Sequence, residues 1–71
     1  MGNKLKDYRE KVGVSQSELA RLSGVSRGTI ISLENNPNYT TTTRTLLKLS
    51  KALNASIDAI FFAEDVQHLN T

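Results

Sequence analysis

Apolar residues recur along this chain at spacings of three and four, and no alternating β-branched run interrupts them. That is the signature of helices. Leu5, Tyr8 and Val12 share one face of a first helix over about Asn3–Val12, which Gly13 ends. Ser15-Gln16-Ser17-Glu18 has the S-x-x-E form of a capping box. In that motif Ser15 accepts from a free backbone N–H and Glu18 reaches back. The second helix then runs to Ser23 with Leu19 and Leu22 inward, and Gly24 supplies a left-handed stop. Ser26 caps a third helix that reaches about Asn35, with Ile30 and Leu33 inward. Pro37 forbids continuation, and the low-complexity stretch NPNYTTTT at 36–43 reads as loop. Thr42 or Thr43 caps a fourth helix whose buried stripe is Leu46, Leu49 and Leu53, and Asn54 stands at its C-cap. Ser56 caps a short fifth helix, with Asp58 in its first turn, and Ile57, Ile60 and Phe61 close the core. The expectation is one all-α domain of five helices over residues 1–63, followed by a polar tail over 64–71.

Length adds a bound. A chain of 71 residues buries only roughly 60% of its unfolded surface, so the core is thin and the fold simple. There is no cysteine, hence no disulfide framework and no Cys-based zinc site. The N-terminus is polar, without an apolar signal core. The longest purely apolar run, Ala59–Ala63, is far too short for a bilayer. These features predict a cytoplasmic protein with no membrane partner. Charge is placed unevenly. Residues 1–51 carry all nine Lys and Arg against four acids, a net +5, whereas residues 52–71 carry three acids and no Lys or Arg, a net −3. A basic body points to an anionic partner such as nucleic acid.

The second and third helices have their own logic. A small residue, Ala20, lets them cross closely, and Gly24 allows the tight turn between them. Val25, Ile30 and Leu33 pin the third helix to the core, so Arg27, Gly28, Ile31 and Ser32 are expected to face outward. A helix held this way fits the major groove. The segment SQSELARLSGVSRGTI, followed by Leu33-Glu34-Asn35, resembles the lambda-repressor-like helix-turn-helix family of phage and bacterial regulators. LLKLSKALNASIDAIF at 46–61 resembles that family's fourth and fifth helices, so the likeness runs from about Leu5 to Phe61.

The resemblance implies double-stranded operator DNA as partner, and a homodimer. It implies that Gln16, with Ser17 beside it, sits where the family touches backbone phosphate. Arg27, Gly28, Ile31 and Ser32 fall at positions facing bases or phosphates, and Arg44 is the first cation after the loop. Arg9 and Glu34 resemble an ion pair tying helix 1 to the end of helix 3. The short length places the chain nearer a phage Cro-type protein or a repressor modulator than a full-length repressor.

Two departures open a second reading. Gly28 has no side chain to read with, and Ile31 can touch a thymine methyl but makes no bidentate hydrogen bond. The loop at 36–43 also lacks the cations that would release counterions from DNA. The same face could instead dock on protein, forming a heterocomplex with another phage repressor through Arg27, Gly28, Ile31 and Ser32. Phe62, next to Phe61 but pointing elsewhere, is a candidate contact for a dimer or partner. An enzyme is not expected. His68 is the only histidine, lies in the tail, and has no nucleophile or metal ligand beside it. No cofactor is implied.

Overall fold

The computed structural model describes residues 3–62. The tail expected over 64–71, with His68, lies outside those residues. The elements are α1 (Leu5–Val12), α2 (Gln16–Ser23), α3 (Arg27–Asn35), α4 (Thr43–Ala52) and α5 (Asp58–Phe62), the last a single wide turn of π type. No strand occurs among the described residues.

Each boundary has a local cause. Ser15, Ser26 and Thr42 hold β-region backbone, and their side chains accept the N–H of Glu18, Thr29 and Thr45 respectively. Ser56 Oγ accepts from Ala59 N–H at 3.1 Å and starts the last turn. Such a cap satisfies one orphan donor and stabilises its helix by about 1 kcal/mol. At the far end of α4 Asn54 adopts φ +54, the left-handed conformation asparagine tolerates. Two expectations change here. Helix 1 begins at Leu5 rather than Asn3, because Asn3 Oδ1 accepts from Leu5 N–H at 2.9 Å and stands outside the helix. Only half of the capping box forms, because the Glu18 carboxylate turns to Arg21 instead of reaching back.

Leu5, Leu19, Val25, Ile30, Leu33, Leu49, Leu53 and Ile60 form one buried cluster. Around it α2 packs on α3 and α4, while α1 packs on α3 and α5. The two ends of the described chain meet: Lys4 N–H donates to Ile60 O at 2.8 Å. Asn3 Nδ2 donates to Leu33 O at 3.0 Å, which joins the start of α1 to α3. Tyr8, Val14, Ala20, Leu46 and Phe61 pack on the rim of the core.

Two leucine-like positions expected inside are not. Leu22 is 49% exposed and Val12 50%. With about 100° per residue, Gln16, Leu19, Ala20 and Ser23 centre the inner arc of α2, and Leu22 lies off its edge. Val12 is displaced because the chain turns at Gly13 (φ +86). That turn brings Val14, not Val12, onto the core.

Candidate nucleic-acid interface

The turn from α2 to α3 is built from short side chains and one glycine. Gly24 holds φ +76, and its N–H closes α2 on Ala20 O at 2.9 Å. Ser23 Oγ then accepts from Val25 N–H at 3.2 Å, and Val25 is buried. Ser26 Oγ accepts from Thr29 N–H at 3.2 Å and donates to Thr29 Oγ1 at 2.9 Å. The start of α3 is thereby fixed before its first full turn.

Ile30 and Leu33 anchor α3, at 0% and 6% exposure. Opposite them the wheel places Gly28, Ile31, Ser32 and Asn35, with Arg27 leading the first turn. Arg27, Gly28 and Asn35 are exposed. Ile31 and Ser32 were expected fully outward but are half-buried, since they lie on the flanks of the outer arc. Gly28 sits in the first turn of α3, and a Cβ built there meets no atom within 4 Å. Nothing among the described residues therefore requires glycine at this position.

A second support holds the far end of α3. Glu34 Oε2 accepts from Arg9 Nε at 2.7 Å, and Oε1 accepts from Arg9 Nη2 at 3.1 Å. The pair is bidentate, the geometry in which guanidinium and carboxylate interact most strongly. Arg9 Nη1 donates onward to Val14 O at 2.9 Å, and Gln16 Nε2 donates to Glu34 Oε1 at 3.1 Å. The Glu34 side chain is 1% exposed and that of Arg9 11%. Hydrogen bonding to Glu34 raises the Arg9 pKa above its ordinary value, against the opposing effect of burial. One network thus ties α1, the following turn, the start of α2 and the end of α3.

Gln16, expected to touch phosphate, has part of its side chain committed to this network and is half-buried. Its neighbour Ser17 is exposed. Arg21 pairs with Glu18 on the outer surface of α2, and that guanidinium holds the Glu18 carboxyl below its usual range. Both groups are solvated, and salt screens such a pair. Arg27 is the one cation on α3. In the loop Asn36 Oδ1 accepts from Asn38 N–H at 3.0 Å, and no charge follows before Arg44, exposed in the first turn of α4. Phe62 is exposed at the end of α5. Asn35 was not singled out from sequence, although its place two turns after Gly28 is the signal that would have found it.

Among the described residues there is no cluster of His, Cys, Asp or Glu that could hold a metal, and no helix long and apolar enough to cross a membrane. The family model described as helix-turn-helix matches residues 5–60. An uncharacterised HTH-type transcriptional regulator of Archaeoglobus fulgidus is 35% identical over 65 residues, spanning 92% of this chain and 91% of the relative. The antitoxin HipB of Escherichia coli is 40% identical over 57 residues, spanning 80% of this chain and 64% of its own length. The crystal structure of the restriction-modification controller protein C.AhdI from Aeromonas hydrophila superposes with a TM-score of 0.72 at 30% identity. That match covers 79% of this chain and 83% of the neighbour.

Proposed function

The chain belongs to the helix-turn-helix family, and from that premise we propose that it controls transcription as a homodimeric regulator, with α3 of each copy in the major groove of an operator. The observation that carries this reading is the mounting of α3. Ile30 and Leu33 seat it on the core and the Glu34 network fixes its end, while Arg27, Gly28 and Asn35 stay open to solvent. Such a helix enters the groove without rearrangement, which preserves affinity otherwise lost to ordering.

Arg27 reads a guanine or grips a phosphate, and Asn35 is of the type that pairs with adenine. Ile31 and Ser32 supply methyl and hydroxyl contacts from the flanks. Ser17, the free part of Gln16 and Arg44 lie against phosphate. Phe62, exposed at the end of α5, supplies an apolar contact through which two copies associate. Dimerisation matches two half-sites about one DNA turn apart. A phage source rests on the resemblance to phage repressors, and work on an operator places the protein in the cytoplasm.

The test is a titration of the purified protein against its own regulatory DNA at about 50 and 150 mM salt. Saturable, salt-sensitive binding by the protein alone is expected, and its absence at the lower salt overturns the reading. The uncharged loop and the lone cation of α3 favour a second reading, in which the face docks on another repressor. Under that reading a DNA shift arises only when the other repressor is added.

Gly28→Ala separates fold from function. Gly in a helix costs up to about 1 kcal/mol relative to Ala, and less in a first turn. Because the added Cβ meets open space, the variant should gain about 0.5 kcal/mol of stability in urea. Its DNA affinity should nevertheless fall about ten-fold, since the methyl group holds the backbone off the DNA. A variant both more stable and fully active would show that Gly28 has no part in the contact.

A further inference from the structure

The cations that the reading face lacks are gathered elsewhere. Arg44, Leu47, Lys48 and Lys51 recur at the i, i+3, i+4 and i+7 positions of α4 and line a hollow of about 420 Å³. All four are exposed. The core does not use this face, because α4 buries Leu49 and Ser50 on the other side. α4 carries no acid of its own, and no carboxylate among the described residues forms an ion pair with any of the three cations. Like charges three and four apart on a helix repel. Arg44 also stands in the first turn, at the positive end of the helix dipole. The arrangement therefore weakens α4 by itself, and a negative partner would relieve it.

The walls of the hollow narrow the choice of partner. Arginine and lysine carry apolar stems beneath their charged heads. With Leu47, which is 43% exposed, those stems make an apolar floor inside a cationic rim. A row of phosphates matches the rim but leaves that floor wet. A second copy of the same face would set three cations against three, and like charges in juxtaposition are unfavourable. A helix with one apolar side chain between acids a turn away on either side matches rim and floor together. Successive turns of a helix stand about 5.4 Å apart, so acids three and four apart on that partner keep step with Arg44, Lys48 and Lys51.

We propose that the outer face of α4 docks an acidic amphipathic helix of another protein, with carboxylates on Lys48 and Lys51 and an apolar side chain against Leu47. Arg44 is assigned above to phosphate. Lys48 and Lys51 stand one and two turns further along the same helix, so the contact does not rest on the operator reading.

The probe is a synthetic alanine-based peptide of about 15 residues, long enough to hold some helix, with one Leu flanked by Glu a turn away on each side. It is titrated into the full-length protein at about 50 mM salt, where surface charge is little screened, and followed in an amide spectrum. Shifts are expected at Leu47, Lys48 and Lys51 and not at Arg27 or Gly28. Replacing the peptide's Leu by Ser, or Leu47→Ser in the protein, should each weaken binding about five-fold, since the apolar contact is then lost. A peptide with Gln for Glu, and the variant Lys48→Glu with Lys51→Glu, should show no shifts. All three protein positions are exposed, and unchanged amide positions at Leu19 and Ile30 verify that the variants keep the core. Absence of shifts on α4, or equal binding by the peptide that lacks Leu, overturns the proposal. So does a short DNA duplex that shifts the same α4 amides more strongly than the peptide and is indifferent to Leu47→Ser, because the face then belongs to phosphate.

Discussion

Glu34→Ala is expected to lower the stability of this domain by about 3 kcal/mol, the largest effect of any single substitution outside the apolar core. For a domain of this size that is a fall of about 12–24 °C in Tm. The carboxylate is 1% exposed and accepts three hydrogen bonds, two from Arg9 and one from Gln16. Its removal strands a guanidinium that is itself 11% exposed, and an uncompensated buried charge is far costlier than a solvated one. Arg9→Ala should cost nearly as much, because it leaves the carboxylate buried instead. The double variant should cost clearly less than the sum of the two, the mark of a shared interaction. Costs below about 0.5 kcal/mol each, and strictly additive, would instead describe a solvated surface pair. The pair raises the Arg9 pKa, so the stabilisation from that shift is complete below the ordinary arginine range and is lost only as pH rises above it. Heat denaturation followed by circular dichroism near neutral pH measures the effect without a contribution from Arg9 titration. Because the network ends on α3, the loss should also loosen the helix proposed to meet DNA.

The caps show what a sequence states directly. Ser15, Ser26, Thr42 and Ser56 all accept the expected backbone N–H, because a cap depends on residues three apart and on nothing else. Asn54 takes the left-handed conformation for the same local reason. The Arg9–Glu34 pair is separated by 25 residues; no local pattern indicates it, and only the likeness to a family did. Leu22 shows the limit of periodicity. In an eight-residue helix the apolar residues are too few to locate the centre of the buried arc, and here Ala20 and Ser23 locate it instead. Asn3 and Gln16 were less legible still, since amide side chains take partners set by tertiary approach. Asn3 finds Leu33 O, and Gln16 finds Glu34. Ile31 was placed on the outer face but is half-buried, so Ile31→Asp would perturb the fold together with any partner surface.

Arg27→Ala is the substitution that should cost most in DNA binding, about 10- to 100-fold, corresponding to about 1–3 kcal/mol for a good base contact. Arg27 opens α3, is exposed, and is the sole cation on that helix. Arg9 and Arg21 are both held by carboxylates, so neither can substitute for it without breaking a pair. The salt dependence tells what Arg27 touches. If it neutralises a phosphate, the slope of log affinity against log salt should fall by about 0.9, with equal losses on all sequences. If it reads guanine, discrimination at one base pair should collapse instead. Arg27→Lys sharpens the distinction. Lysine keeps the charge but loses the planar fork, so a phosphate contact should survive largely intact while bidentate base reading does not. Unchanged operator affinity in Arg27→Ala would remove the only cation of α3 from the interface. The helix would then offer DNA little beyond shape and methyl contact, and its Gly28 and Ile31 would be better matched to a protein surface.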